Sequence, residues 1–412
     1  MKSKIINLFV LFILFTSAIS YSFTSLPIWN TQETTEVNNE TSLENYLKLE
    51  SESAILIELQ TGQVLFEKDI HKQLRPASVT KIMSLLLIME ALDRGDITLE
   101  TQIPCSEKAS SMGGSQIWLD STENLSVLEM LKAICIVSAN DCTVAMAEYL
   151  CGSEELFVQK MNERAKELGM NDTCFKNCHG IDEDGHFTSS YDISIMSREL
   201  LKNHPQITEY TTIWMDSIRE GQSELVNTNK LIRTYSGATG LKTGSTSLAL
   251  YNLSASATRN NLSLIAVVLR APSPKIRFSE AKLLLDYGFN TYLFKSLCQK
   301  DIFYQNVPVT KGITDNVNLI FEKDTGIITK KSDSSNITEK VTLNENIEAP
   351  IYKGDILGNI SYFNGDSQVA TVNLIAENDV QKSSLINIFK DIAFFWFSLL
   401  KQYSWIFRQN TV

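Results

Sequence analysis

Arg75-Pro76-Ala77-Ser78-Val79-Thr80-Lys81 stands directly before a dense apolar run, Ile82 to Leu92. Pro76 discourages helix before it and serine is a favoured helix starter, so the stretch predicts a buried helix with Ser78 in its first turn. Lys81 follows one turn later. Residues three apart lie on one helix face, which lets the lysine amine reach the serine hydroxyl. A serine is a weak nucleophile until a base takes its proton, and a lysine becomes that base only if burial lowers its pKa. The apolar run supplies the burial. The same spacing recurs at Ser279/Lys282 and Ser398/Lys401, so the pair gains its weight from what stands downstream.

Upstream, Lys2 and Lys4, the apolar core Ile5 to Phe15 and the small residues Ala18-Ile19-Ser20 read as a secretory signal over residues 1–20. The run is short for a membrane span, so cleavage after Ser20 is expected, with the rest of the chain exported. Residues 21–48 are polar and acidic and read as a linker. Ala54 to Leu59 and Val64 to Phe66 flank Gln60-Thr61-Gly62, a strand–turn–strand signal.

Downstream, Gly113-Gly114-Ser115 marks a loop, and an apolar helix from Val127 to Val137 ends in Ser138-Ala139-Asn140-Asp141. Cys142 to Gly169 reads as helical, as does Tyr191 to Leu201. Gly240-Leu241-Lys242-Thr243-Gly244-Ser245 precedes two strand-like runs, Leu248 to Ser256 and Leu262 to Leu269, and a closing helix runs from Arg277 to Tyr287. Helices mixed with antiparallel strands indicate an α+β fold. Beyond Tyr292 short alternating runs and Asn364-Gly365 predict a small all-β domain. The expected boundaries are 49–291 and 292–379.

At 412 residues and 43% hydrophobic, the chain can bury two cores. Its formal charge of −11 and the lack of a basic stripe argue against a nucleic-acid partner. The seven cysteines are an odd number without disulfide spacing. A metal site from Cys174, Cys178, His179 and His186 would not follow a usual zinc spacing, and a bridge between Cys174 and Cys178 depends on the geometry of the turn between them.

Three elements therefore stand in order in an exported chain: Ser78-x-x-Lys81, Ser138-x-Asn140 and Lys242-Thr243-Gly244. With them the chain resembles the low-molecular-mass penicillin-binding proteins, the serine-type D-alanyl-D-alanine carboxypeptidases, over about residues 50–378. His179-Gly180-Ile181-Asp182, the Ile265 to Leu269 strand and Tyr287-Gly288-Phe289 extend the likeness. The resemblance implies a penicillin-binding or β-lactamase-like transpeptidase domain followed by the β domain. It implies that Ser78 attacks the carbonyl between two terminal D-alanines, with Lys81 as base and Ser138 as proton relay. Asn140 would hold the substrate backbone, while Lys242 and Thr243 take its terminal carboxylate. Gly244 would let the strand approach, and the backbone N–H groups of Ser78 and Ser245 would hold the oxyanion. Neither metal nor organic cofactor is needed. Peptidoglycan stem peptides are the implied substrate and β-lactams the implied inhibitors. A β-lactamase or related esterase, and a catalytically silent wall-binding protein, are the alternatives. The loop at His179 lacks the Glu-x-x-x-Asn pattern associated with class A β-lactamases.

Residues 380–412 read as an amphipathic helix. Lys390, Lys401 and Arg408 lie on one side, with Phe389, Ile392, Trp396, Leu400 and Phe407 on the other. Its longest apolar stretch, Ile392 to Leu400, is too short to span a bilayer, so the helix is expected to lie in the membrane surface as an anchor.

Overall fold

The structure is a computed structural model that describes residues 47–333, 336–384, 389 and 392–400. The expected signal, nearly all of the linker and much of the tail lie outside the described residues. The chain divides at Leu49, and everything below concerns the compact unit from that residue onward.

Its first part is built on a five-stranded antiparallel sheet of β1 (Ser53–Glu58), β2 (Val64–Lys68), β3 (Ala238–Thr246), β4 (Leu250–Arg259) and β5 (Leu262–Ala271), in the order β2-β1-β5-β4-β3. Successive side chains on a strand face opposite ways. Ile55 and Ile57 of β1 accordingly enter the large core shared with the helices, while Leu56 points to the opposite face, where Gly288 packs. The two strands joined by Gln60-Thr61-Gly62 pair as the turn signal predicts.

The helices that fill the core are α1 (Lys81–Arg94), α2 (Val127–Ile136), α3 (Asn140–Cys151), α4 (Glu154–Glu167) and α5 (Ser190–Asn203); α6 (Pro274–Thr291) closes this part. Their starts are chemically marked. Ser126 and Glu129 form a capping box on α2, and Ser153, Ser189 and Ser273 cap α4, α5 and α6 through their hydroxyls. The single helix expected from Cys142 to Gly169 is two helices, because the chain turns left-handed at Gly152 and Ser153 starts afresh.

The second part is all β. Strands β7 (Phe303–Pro308), β8 (Asn316–Phe321), β10 (Ile337–Leu343), β11 (Ile356–Asn364) and β12 (Ser367–Ala376) form an antiparallel sheet in the order β7-β8-β12-β11-β10. β6 (Tyr292–Cys298) pairs with β9 (Thr325–Lys330). Val307, Leu319, Ile360, Val372 and Leu374 lie in its apolar core. Ile392 to Leu400 is helical, with Ile392, Phe394, Phe395, Trp396, Phe397 and Leu400 exposed. No helix among the described residues is long and apolar enough to cross a membrane.

Candidate active site

Ser78 does not lie in the α-helix itself. It sits on a 3-10 turn, Ala77–Thr80, and Lys81 is the first residue of α1. The reason is what packs against the turn. Ala77 is held at φ 49°, and the buried Asn252 of β4 donates Nδ2 to the carbonyls of Arg75 (2.8 Å) and Pro76 (2.9 Å). A Cβ on Gly244 of β3 would stand 2.9 Å from the Pro76 carbonyl, the Ser78 nitrogen and the Val79 nitrogen alike. On the other side, a Cβ on Gly180 would stand 1.9 Å from the Ala77 carbonyl oxygen. Only glycine allows these two segments to close on the serine.

Lys81 is fully buried, and its Nζ is 3.1 Å from Ser78 Oγ, 2.6 Å from Asn140 Oδ1 and 2.6 Å from the His179 carbonyl. Burial, reinforced by the charge of Lys242, pushes its pKa well below the ordinary lysine value. A neutral amine has two N–H groups and one lone pair. The two fixed acceptors, Asn140 and His179, take the N–H groups and leave the lone pair for the Ser78 hydroxyl proton. That is the arrangement a general base requires.

Asn140 opens α3 and is anchored in turn. Its Nδ2 donates to the Gly113 carbonyl (2.7 Å) and its backbone N–H to the Ser115 carbonyl (2.7 Å). Asp141, the next residue, accepts the N–H groups of Ile117 (3.0 Å) and Leu119 (3.1 Å). The loop from Gly113 to Leu119 is thus wound around the second motif. Ser138 adopts φ 67°, and its buried Oγ has no hydrogen-bond partner among the described residues. A hydroxyl free to rotate can both accept and donate a proton.

Lys242 and Thr243 lie on the edge strand β3. Lys242 is buried, among the described residues donates only to the Thr243 carbonyl (3.1 Å), and burial brings its pKa down to about 7. Thr243 donates Oγ1 to Thr228 Oγ1 at 2.8 Å, and Ser245 is exposed at the strand's outer end. Behind them Arg277 donates Nη1 to the Gly244 carbonyl at 3.1 Å, its pKa lowered by burial to about 10. Ser78, Lys81, Asn140 and Gly244 are joined by direct contacts, while Ser138, Lys242, Thr243 and Ser245 flank them on the second-motif turn and on β3. Sequence reasoning missed Asn252, Thr228 and Arg277. None left a distinctive signal; even Asn252 is one of several polar residues in β4, beside Ser254, Ser256 and Thr258.

Among the described residues no group of three or more His, Cys, Asp or Glu side chains is placed to hold a metal ion. His186 receives the Lys176 N–H on Nδ1 (3.2 Å) and therefore carries its proton on Nε2 for Thr80 (2.9 Å). Burial pushes His179 and His186 down to about 4, and both are neutral near pH 7. All seven cysteines are free thiols, so Cys174 and Cys178 form no bridge.

The profile of the D-alanyl-D-alanine carboxypeptidase family matches residues 37–273. The chain belongs to this family. A second profile, the C-terminal domain of penicillin-binding protein 5, matches residues 292–382. D-alanyl-D-alanine carboxypeptidase DacF of Bacillus subtilis is 44% identical over 345 residues, 83% of this chain and 88% of that protein. Penicillin-binding protein 5 from Haemophilus influenzae superposes with a TM-score of 0.70 at 28% identity, covering 81% of this chain and 98% of that one. Penicillin-binding protein D2 from Listeria monocytogenes, solved in its ampicillin-bound form, has a TM-score of 0.55 at 28% identity and covers 59% and 99%. As a family member the protein is a serine-type D-alanyl-D-alanine carboxypeptidase, a penicillin-binding-protein fold with a β domain behind it.

Proposed function

We propose that this carboxypeptidase removes the terminal D-alanine from peptidoglycan pentapeptide stems through an acyl-enzyme on Ser78. The observation that carries the proposal is the buried Lys81 amine 3.1 Å from Ser78 Oγ with both its N–H groups engaged elsewhere. Ser78 Oγ attacks the carbonyl between the two D-alanines and its proton passes to Lys81. The oxyanion is held by the Ser78 and Ser245 N–H groups, which the approach of Gly244 to the Ser78 nitrogen supports. The carbon–nitrogen bond then breaks, and Ser138 relays a proton to the leaving amine. Water, deprotonated by the Lys81 amine, then cleaves the ester, and the proton returns to Ser78 Oγ as the tetrapeptide carboxylate leaves.

Lys242 and Thr243 receive the substrate's terminal carboxylate. Lys242 is poised for this: an arriving anion raises the pKa of the buried amine above about 7 and fixes its charge. Penicillins carry a carboxylate beside an acylating carbonyl, so they are expected to acylate Ser78 and remain there.

The working unit is proposed to be residues 49–291, with 292–379 as a stand, exported by the signal at 1–20. The exposed Phe394, Phe395, Trp396 and Phe397 support a surface anchor in the tail. Liposome flotation of the chain with and without residues 383–412 tests the anchor; equal partition of both into the soluble fraction removes it. For the reaction, wild type should liberate free D-alanine from a D-alanyl-D-alanine-terminated pentapeptide and Ser78→Ala should not. Release by the variant overturns the assignment.

A further inference from the structure

Trp118 is 77% exposed, the most exposed large hydrophobic side chain among the described residues of the sheet-and-helix part, yet side chains pin the backbone around it. Asp141 accepts the N–H groups on either side of it, at Ile117 and Leu119. Arg219 donates Nη1 to the Ile117 carbonyl (2.9 Å) and Nη2 to the Trp118 carbonyl (3.4 Å). That guanidinium is itself locked onto both carboxylate oxygens of Glu123, at 2.6 and 2.8 Å. Trp118 also adopts φ 54°, a left-handed conformation that a bulky residue takes only when its surroundings impose it.

Burial alternates along this segment: Ile117 and Leu119 point into the core, Trp118 and Asp120 point out. No aromatic ring or guanidinium among the described residues lies on the indole. The segment is also close to the chemistry. Asn140, which touches the Lys81 amine, binds the Ser115 carbonyl, and three residues of chain reach no more than about 10 Å. An exposed indole on a pinned backbone, within three residues of the Ser115 carbonyl that Asn140 binds and beside an outward carboxylate, is a recognition element that has lost its flexibility in advance.

We infer that Trp118, with Asp120 beside it, is a specificity determinant for the free ammonium of the diamino acid preceding the D-alanine pair. This rests on the function proposed above. An indole face attracts a cation, and Asp120 adds the opposite charge. Asp120 is fully ionised near neutral pH because the Thr122 hydroxyl and N–H hold its carboxylate below the usual range. The neighbouring Arg219 does not oppose the arriving amine, since Glu123 neutralises it. Trp118 touches no reacting atom.

The test compares Nα-acetyl-L-Lys-D-Ala-D-Ala with its Nα,Nε-diacetyl counterpart on the full chain. Wild type should prefer the free amine about two- to fivefold in kcat/KM, the range of an exposed cation–π contact. Trp118→Ala should erase that preference while the diacetyl peptide reacts as with wild type. Trp118→Phe should keep most of the preference, and Asp120→Asn, which retains the turn acceptor for Thr122, should lower it. The same ratio should appear in dissociation constants measured on Ser78→Ala and on Ser78→Ala/Trp118→Ala, where nothing turns over. If wild type releases no D-alanine but the Kd preference survives, the proposed reaction fails and this inference stands. Absence of a preference in wild type overturns it, and so does an equal loss on both peptides in Trp118→Ala.

Discussion

The two parts of the unit bury different kinds of residue. Among the described residues, every buried polar or charged residue lies between Ser51 and Glu280, including Lys81, Asn140, Lys242, Asn252 and Arg277. The β part beyond Tyr292 packs Val, Leu, Ile, Ala, Phe and Tyr with one cysteine, and no buried charge. Burying a polar group costs free energy unless it is paired, and burying a charge costs more. The first part carries that cost around the proposed base, relay and carboxylate receptor. Among the described residues the second buries no such group and packs as an apolar core.

Two glycines with nearly the same φ make the contrast measurable. Gly180 (φ +93°) and Gly354 (φ +92°) share a conformation that side chains rarely adopt, but a Cβ on Gly180 would collide with the Ala77 carbonyl and one on Gly354 would meet nothing within 4 Å. Gly180→Ala should therefore displace the Ser78 turn and lower penicillin acylation by about a hundredfold or more, the scale at which small misplacements act. Gly354→Ala should acylate normally and lose only the stability that the new backbone strain costs, of order 1–3 kcal/mol in denaturant unfolding. Equal effects of the two would show that local strain, not approach to the nucleophile, is what matters.

The next effect isolates the carboxylate receptor. A substrate with its terminal D-alanine amidated should react about ten- to a hundredfold more slowly with wild type, since a charge-assisted hydrogen bond is worth about 1.5–3 kcal/mol. Equal rates on acid and amide would remove Lys242 from that role.

The smallest effect is one of stability and has a definite sign. Lys242 has a folded pKa of about 7 against 10.5 for a free lysine, so the unfolded chain binds the extra proton between those values. Its destabilising contribution is full below about pH 7 and fades as the pH climbs towards 10.5. Lys242→Met should thus raise Tm by a few degrees at pH 6, by less at pH 9, and abolish carboxylate selectivity. A Tm that falls at pH 6 would mean the amine is paired better than its single bond to the Thr243 carbonyl indicates.

What the sequence disclosed follows the same division. Ser78, Lys81, Ser138, Asn140, Lys242 and Thr243 were legible because the proposed chemistry calls for those residue types at that spacing. Asn252 was not, because it acts through the carbonyls of Arg75 and Pro76, residues 177 and 176 positions away in the chain. Gly180 was visible as a loop glycine, but its approach to Ala77 exists only once the fold has closed. The break at Gly152-Ser153 was written plainly enough as a stop and a cap; the continuing helical periodicity masked it. In the β part, alternation of apolar residues fixed the fold class, whereas strand order depends on pairings that no local pattern carries.

The central claim is that the Lys81 amine makes Ser78, and no other hydroxyl of the chain, the nucleophile. Incubating the protein with a penicillin, digesting it and locating the added mass tests this directly. The adduct should fall on the peptide bearing Ser78, vanish in Ser78→Ala, and be unchanged in Ser279→Ala and Ser398→Ala, which share the spacing. An adduct on any other residue, or undiminished labelling of the Ser78→Ala protein, would contradict the account.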